Sequence, residues 1–102
     1  MDSLFGVVAE PRRRLILDTL LLRERTVGDL VEALQTSQPV VSKHLRVLRE
    51  AGLVTCRVEA QRRVYRVELE PLRALEEWIA PYRALWSARL DALERHLDTM
   101  EE

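Results

Sequence analysis

The stretch SQPVVSKHLRVLREAGLV, residues 37–54, decides the fold of this 102-residue chain because it predicts one capped, two-faced helix. Ser37 can cap the helix, Pro39 is tolerated in its first turn, and Gly52 can end it. At about 100° per residue, one face collects the apolar residues Val41, Leu45 and Leu48. The opposite face carries Pro39, Lys43, Arg46 and Glu50. The pattern therefore predicts a helix with one face in a core and the other available to a polar partner.

Three helices are predicted upstream of this one, the first a short N-terminal helix over residues 1–10. A helix over residues 11–23 begins at Pro11 and turns inward Leu15, Ile16 and Leu20. Its first turn holds Arg12, Arg13 and Arg14, whose charge opposes the helix dipole and favours an anion nearby. A shorter helix follows, where Thr26 and Asp29 resemble a capping box with Asp in place of Glu. The letters QTS then separate this short helix from the helix that Ser37 caps.

A β-hairpin is predicted after Gly52. The runs LVTCRVE, residues 53–59, and RRVYRVE, residues 62–68, are rich in β-branched residues and roughly alternating. Arg62 and Arg63 then lie at the hairpin tip. Because the two residues between the runs include neither Gly nor Asn, a tight two-residue turn is disfavoured and a longer loop is the alternative.

A long apolar stripe is predicted along the C-terminal third of the chain. From Pro71 onward, apolar residues recur in steps of three and four at Leu72, Leu75, Ile79, Tyr82, Trp86, Leu90, Leu93, Leu97 and Met100. A period of about 3.5 residues over about four heptads indicates a helix that packs along another helix. Pro81 lies within the stripe without changing its phase, which predicts either one bent helix or two nearly collinear ones.

The charge of the chain is unevenly distributed. The net charge is −1, yet residues 1–66 hold 12 Lys and Arg against 8 Asp and Glu, while residues 67–102 hold 4 against 9. The basic excess of the first block favours a polyanionic partner. A single cysteine, Cys56, excludes an internal disulfide, and no apolar run reaches the roughly 18 residues of a membrane span. These features predict a cytoplasmic protein.

Two short helices joined by a tight turn, followed by a basic-tipped hairpin, predict a winged helix-turn-helix that binds double-stranded DNA. On the second helix, Gln38 can pair with an adenine edge, Ser42 can contact either base type, and Lys43 or Arg46 can reach guanine or phosphate. Ser37 and the helix N-terminus favour a phosphate, as do Arg62 and Arg63 at the hairpin tip.

The segments AEPRRRLILDTLL, TVGDLVEAL, SQPVVSKHLRVLREAGLV and RRVYRVE, in this order, resemble the ArsR/SmtB family of small bacterial winged-helix repressors. The resemblance covers residues 1 to about 80. It implies a homodimer that occupies an operator and blocks transcription, with Gln38, Ser42, Lys43 and His44 on the helix that reads DNA. Including the neighbouring turn, the predicted DNA-binding set is Ser37, Gln38, Pro39, Val40, Ser42, Lys43, His44, Arg46, Arg62 and Arg63. The predicted dimer interface is Leu4, Phe5, Val8, Leu75, Ile79, Tyr82, Trp86, Leu90, Leu93 and Leu97.

The chain departs from the metal-sensing members of that family. Its third helix begins TVGDL, without cysteine, and its C-terminal segment DALERHLDTMEE offers only His96 among acidic residues. We therefore predict no metal site and no cofactor. Ser42 and His44 are two residues apart on a helix and do not face each other, so an enzyme is not expected.

Several alternatives remain from the sequence. A metal-gated, ligand-gated or redox-gated sensor of the same fold would share the DNA chemistry, and Cys56 could be its redox group or a buried inert thiol. A protein-interaction adaptor would keep the helical stripe and ignore DNA. Trp78, Tyr82 and Trp86 could line a ligand pocket between subunits or form dimer core. The genes regulated and the inducing signal are not predicted.

The resulting prediction is a mainly α homodimer of a single domain, residues 1–102, with five or six helices and a two-stranded wing. Its parts are an N-terminal dimerisation helix over 1–10, a helix-turn-helix over 26–52, a wing over 53–69 and a C-terminal dimerisation helix over 71–101. The expected function is sequence-specific repression from a palindromic operator, with double-stranded DNA and a second copy of the chain as partners and no membrane contact.

Overall fold

The computed structural model describes the backbone of residues 2–101 and the side chains of residues 4–100. That range contains five α-helices and a three-stranded antiparallel sheet. In chain order the elements are α1 (Asp2–Ala9), α2 (Pro11–Leu22), β1 (Arg25–Thr26), α3 (Val27–Leu34), α4 (Gln38–Glu50), β2 (Val54–Glu59), β3 (Arg62–Val67) and α5 (Glu70–Glu101). The predicted mainly α winged helix-turn-helix fold is confirmed. It has five helices, the smaller of the two numbers expected.

The described chain divides into two compact units, the first reaching to Leu72 and the second starting at Arg73. The first unit holds α1 to α4 and the sheet, and the second holds most of α5. The sequence assigned both to one domain, and that assignment stays a prediction.

Helix α4 is built as its sequence predicts. The Ser37 hydroxyl accepts a hydrogen bond of 3.4 Å from the Val40 amide, and Gly52, with φ of 77°, follows the last turn. Val41, Leu45 and Leu48 are each at most 1% exposed. They form one core with Ile16, Leu20, Leu30, Leu53, Val54 and Tyr65. Because the buried face of α4 is fixed in this core, its opposite face is held at a defined position on the surface.

The arginines at the start of α2 contact the end of α1. The Glu10 carboxylate caps α2 by accepting from the Arg13 amide, and the Arg13 guanidinium donates to the carbonyl of Val7 at 2.7 Å. Arg14 donates to the carbonyls of Val8 and Ala9. The predicted need for negative charge is met for Arg13 and Arg14 by the carbonyl end of α1, where the helix dipole is negative, but no such contact is found for Arg12 among the described residues.

The prediction that Leu15 points inward is wrong. Ile16 and Leu20 are buried, whereas Leu15 is 51% exposed. At 100° per residue, Leu15 lies about 100 to 140° around α2 from those two residues, so one narrow core face cannot hold all three.

Strand β1 is a feature that the sequence analysis missed. Its two residues pair with the wing, Arg25 opposite Tyr65 and Thr26 opposite Val64, which gives the strand order β1-β3-β2. Thr26 is also the N-cap of α3, where the predicted capping box with Asp29 is present in both directions. The start of α3 is therefore joined directly to the strand that leads from the wing tip.

The wing turn contains only Ala60 and Gln61, because Glu59 pairs with Arg62. The alternative of a longer loop is wrong. Ala60 has φ of 57°, and Gln61 does not lie in the left-handed region. This is the pattern of a type II′ turn, whose first central position favours glycine.

Ala60→Gly should stabilise the protein. Glycine removes the cost of holding an L-residue in the left-handed region, about 1 to 2 kcal/mol. This gain exceeds the stability that is lost because glycine has more conformational freedom in the unfolded chain. We expect the free energy of unfolding in urea to rise by about 0.5 to 1 kcal/mol. Ala33→Gly, inside α3, is the matched control and should lower it by a similar amount. A loss of stability in Ala60→Gly would contradict the turn assignment.

Helix α5 continues without interruption through Pro81. The Arg83 guanidinium binds the Glu76 carboxylate two turns away, so this ion pair spans the proline. Along the predicted stripe, Ile79, Tyr82, Trp86, Leu90, Leu93, Leu97 and Met100 are 40% to 68% exposed. No helix in the described range is both long and apolar enough to cross a membrane. The single chain thus leaves a long apolar stripe of α5 open to solvent.

Candidate nucleic-acid interface

The outward face of α4 gathers most of the side chains that the sequence assigned to DNA. Exposed together on its first three turns are Gln38, Pro39, Ser42, Lys43 and Arg46. Pro39, Lys43 and Arg46 are exposed because Val41, Leu45 and Leu48 are buried on the other side of the helix, whereas Gln38 is exposed because it lies in the first turn. This face therefore presents amide, hydroxyl, ammonium and guanidinium groups, which are the groups that pair with base edges and phosphates.

An open groove of about 460 Å³ joins α4 to the wing. We call it the wing groove, and its lining residues are Thr26, Val27, Gly28, Gln38, Gln61, Arg62 and Arg63. It brings the N-terminal ends of α3 and α4 together with the wing tip. The pairing of Thr26 with Val64 explains this, because it sets the start of α3 beside the strand that carries Arg62 and Arg63.

Ion pairs decide which basic residues remain available near this groove. Arg57 binds the carboxylates of Glu24 and Glu59, whose hydrogen bonds raise the pKa of its guanidinium. Arg66 binds Glu68. Each of these charges is therefore partly neutralised by a neighbouring carboxylate. Arg46 lies 3.9 Å from Glu50, but both side chains are highly exposed, and such pairs contribute little.

Four basic residues of the segment 37–66 take part in none of the ion pairs found among side chains 4–100. They are Lys43, Arg49, Arg62 and Arg63, and all four are exposed. The first two belong to α4 and the last two to the wing. The positive charge left over after internal pairing is thus concentrated on the two elements that flank the wing groove.

Val40 and His44 lie on a different flank of α4 from the rest of the predicted set. Both line a pocket against Leu15 of α2. The His44 side chain is only 12% exposed, and its Nε2 lies 3.7 Å from Oε2 of Glu10. Its Nδ1 atom is buried without a hydrogen-bond partner among the described residues. The structure therefore does not bring these two residues onto the exposed face that carries Gln38 and Ser42.

Burial lowers the pKa of His44. Loss of hydration disfavours the imidazolium and outweighs the attraction of the Glu10 carboxylate, which acts in the opposite direction. The distance of 3.7 Å to Glu10 exceeds that of a hydrogen bond, so this carboxylate compensates only in part. We infer that His44 is neutral at pH 7 and that its charge is not available to DNA.

The lowered pKa predicts a pH-dependent stability. The unfolded chain, whose histidine pKa is about 6.5, takes up a proton more readily than the folded chain. The stability that neutral His44 contributes is therefore complete above about pH 6.5 and is lost as the pH falls below that value. We expect the urea midpoint to decrease between pH 7 and pH 5, and His44→Gln to flatten this decrease. His96→Gln on α5 is the matched control. Equal pH slopes in the wild type and His44→Gln would contradict the burial of a neutral imidazole.

Three parts of the candidate interface were missed by the sequence analysis. The start of α3 and Gln61 line the wing groove, and Arg49 is an exposed, unpaired cation on α4. Arg49 could have been found from its place among the basic residues of the segment 37–66. The other two depend on the pairing of β1 with β3, and a two-residue strand leaves no periodic signal.

Groups suited to metals or redox chemistry are sparse. Among the described residues, no cluster of three or more His, Cys, Asp or Glu side chains could hold a metal ion. Cys56 is a half-buried free thiol that packs against the core. The alternative of a redox-sensing Cys56 stays a prediction.

Comparison with known proteins identifies the family. The model of the bacterial regulatory protein, arsR family, matches residues 10–55, which include all of α2, α3 and α4. The transcriptional repressor SdpR of Bacillus subtilis is 30% identical over 79 residues, or 78% of this chain and 88% of that protein. The chain belongs to the ArsR family.

Two further similar proteins extend this result. The transcriptional activator HlyU of Vibrio cholerae is 40% identical over 74 residues, or 72% of this chain and 68% of that protein. An ArsR-like transcriptional regulator from Rhodococcus matches the structure with a TM-score of 0.72 at 26% identity, covering 92% of this chain and 89% of that one. The family consists of DNA-binding transcriptional regulators rather than enzymes.

Proposed function

We propose that two copies of this chain bind a palindromic operator and repress the genes beside it. The outward face of α4 enters the major groove, and the wing contacts the adjacent backbone. A regulator of transcription acts where the chromosome lies, which in a bacterium is the cytoplasm. Relatives include both a named repressor and a named activator, and we favour repression because occupancy of an operator is sufficient to block transcription.

The wing groove is the observation that carries this proposal. It places two helix N-termini and two unpaired arginines around one open space. The N-terminus of α4 and the guanidinium groups both attract phosphate, and together they fix the register of a protein on duplex DNA, whereas the N-terminus of α3 already holds the carboxylate of Asp29. Gln38 lies at the edge of the same groove, which would direct its amide toward base edges while the arginines hold the backbone.

The exposed stripe of α5 supports the homodimer. Its apolar side chains repeat at coiled-coil spacing and remain 40% to 68% exposed in the single chain. A continuous apolar patch of this kind usually marks an interface. Leu4 and Val8 of α1 already pack partly against their own core, so we assign the larger share of the interface to α5. Pairing would hold the two α4 helices about 34 to 36 Å apart, in successive major grooves.

The predicted DNA-binding residues take distinct roles in this proposal. Gln38 and Ser42 read bases, and Lys43 and Arg46 contact guanine or phosphate. Ser37 holds phosphate, as do Arg62 and Arg63. Because Val40 and His44 face α2, we assign them to positioning α4 rather than to direct base contact.

Selection of bound fragments from a random duplex pool tests the proposed function. We expect enrichment of an inverted repeat, whose affinity should exceed that of scrambled DNA by at least about 1,000-fold at physiological salt. Fluorescence anisotropy with the selected duplex measures the ratio, and the same duplex with one half-site scrambled is the control. No enriched sequence, together with equal binding to all duplexes, would contradict the proposal.

Gln38→Ala should reduce sequence preference more than it reduces general affinity. A bidentate contact to one base discriminates by about 1 to 3 kcal/mol, and two half-sites would double the effect. We expect a loss of roughly tenfold or more on the operator and little change on random DNA, measured by anisotropy at fixed salt. Gln35→Ala, outside the wing groove, is the matched control. Equal losses on both duplexes would exclude base reading by Gln38.

A further inference from the structure

A second pocket, of about 100 Å³, lies between α2 and α4. We call it the α2–α4 pocket. Its apolar lining comes from Leu15, Ile16, Leu34, Val40 and Val41. Three polar residues complete it, and they are Arg12, Thr36 and His44. The pocket therefore combines an apolar wall with one cation, one hydroxyl and one imidazole.

Two groups that line this pocket are available to a ligand. Leu15 is 51% exposed at its edge, although an apolar side chain is stabilised by burial. Arg12 is exposed and takes part in none of the ion pairs found among side chains 4–100, whereas Arg13 and Arg14 bind the carbonyls of α1. A ligand that carries both an apolar group and an anion could contact Leu15 and Arg12 together.

We propose that the α2–α4 pocket binds a small aliphatic monocarboxylate. The aliphatic part lies against Leu15 and Val40, and the carboxylate pairs with the guanidinium of Arg12. A guanidinium suits a carboxylate because it can donate two parallel hydrogen bonds to it. A cavity of roughly 150 Å³ accepts benzene, so a pocket of this size suits an acid of about four carbons.

Such a ligand would weaken DNA binding, an inference that rests on the proposed function. Val40, Val41 and His44 all belong to the first two turns of α4, and the pocket borders on both α2 and α4. A carboxylate on Arg12 cancels one positive charge beside the helix that meets DNA and adds repulsion toward phosphate. Because coupling is reciprocal, DNA should weaken binding of the acid by the same factor.

Titration of the free protein with isobutyrate tests the site itself. We expect saturable shifts of the methyl resonances of Leu15, Ile16 and Val40, with millimolar affinity. Isobutyramide, which has the same shape without the charge, should bind at least fivefold more weakly, and so should isobutyrate to Arg12→Gln. Arg89→Gln on α5 is the charge-matched control and should bind as the wild type does. Shifts elsewhere, no saturation, or equal binding of the acid and the amide would overturn the site.

The DNA arm separates this inference from the proposed function. At constant ionic strength, saturating isobutyrate should lower affinity for the selected duplex at least threefold in the wild type and leave it unchanged in Arg12→Gln. An unchanged affinity in the wild type would overturn the coupling. If the chain binds isobutyrate but no duplex, the proposed function fails and the pocket assignment stands. If it binds the duplex but not isobutyrate, the pocket assignment fails and the proposed function stands.

Discussion

A chain carrying both Trp86→Glu and Leu90→Glu is expected to sediment as a monomer and to lose most of its affinity for the operator. The two side chains are 62% and 45% exposed in the middle of the apolar stripe of α5. Four carboxylates placed in one interface by two chains would be desolvated and mutually repulsive. In a dimer, binding of one half-site holds the second chain close to the other half-site. A monomer lacks this gain in effective concentration, so operator affinity should fall by at least about 100-fold.

Sedimentation velocity measures whether the chain is a monomer or a dimer, and fluorescence anisotropy measures its affinity for the operator. The matched control is Ala84→Glu with Ala88→Glu, which adds the same charge on the side of α5 about 160 to 200° from Trp86. It should remain a dimer and bind with nearly unchanged affinity. A wild-type chain that sediments as a monomer at micromolar concentration, or a dimer that survives both substitutions in the stripe, would contradict the proposed interface.

Replacing Arg62 and Arg63 together with Gln is expected to weaken binding to every duplex. Both are exposed at the wing tip, line the wing groove and take part in none of the ion pairs found in the described range, so their charge is available to phosphate. Each lost phosphate contact should reduce the slope of log affinity against log salt by about 0.9, so two contacts per chain would reduce it by about 3.6 in a dimer.

Anisotropy at several salt concentrations, on operator and random duplexes, measures that slope. Arg89→Gln with Arg95→Gln on α5 makes the same change in net charge and should leave the slope nearly unchanged. The ratio of operator to random affinity should also persist in the wing variant, because phosphate contacts carry no sequence information. An unchanged slope would show that the wing does not contact the backbone.

The parts of the fold that depend on local sequence were predictable. Helix α4 has its cap, its apolar period and its terminal glycine within eighteen consecutive residues, so the exposed position of Lys43 followed from the spacing and that of Gln38 from its place in the first turn. The capping box at Thr26 and the continuity of the stripe across Pro81 were readable for the same reason.

The features that the sequence did not predict arise from contacts between distant segments. The two residues of β1 become a strand only because β3, nearly forty residues later, offers them an unpaired edge. That pairing brings the start of α3 to the wing groove. Similarly, the contact of His44 with Glu10 depends on how α2 packs beside α4. The exposure of Leu15 has the same origin.

The most direct test of the central claim is a hydroxyl-radical footprint of the full chain on the selected duplex. Two copies that hold their α4 helices one helical turn apart should protect two inverted patches on one face of the DNA, with centres about 10 to 10.5 base pairs apart. A single protected patch, or two patches whose spacing does not match a helical turn, would contradict the account.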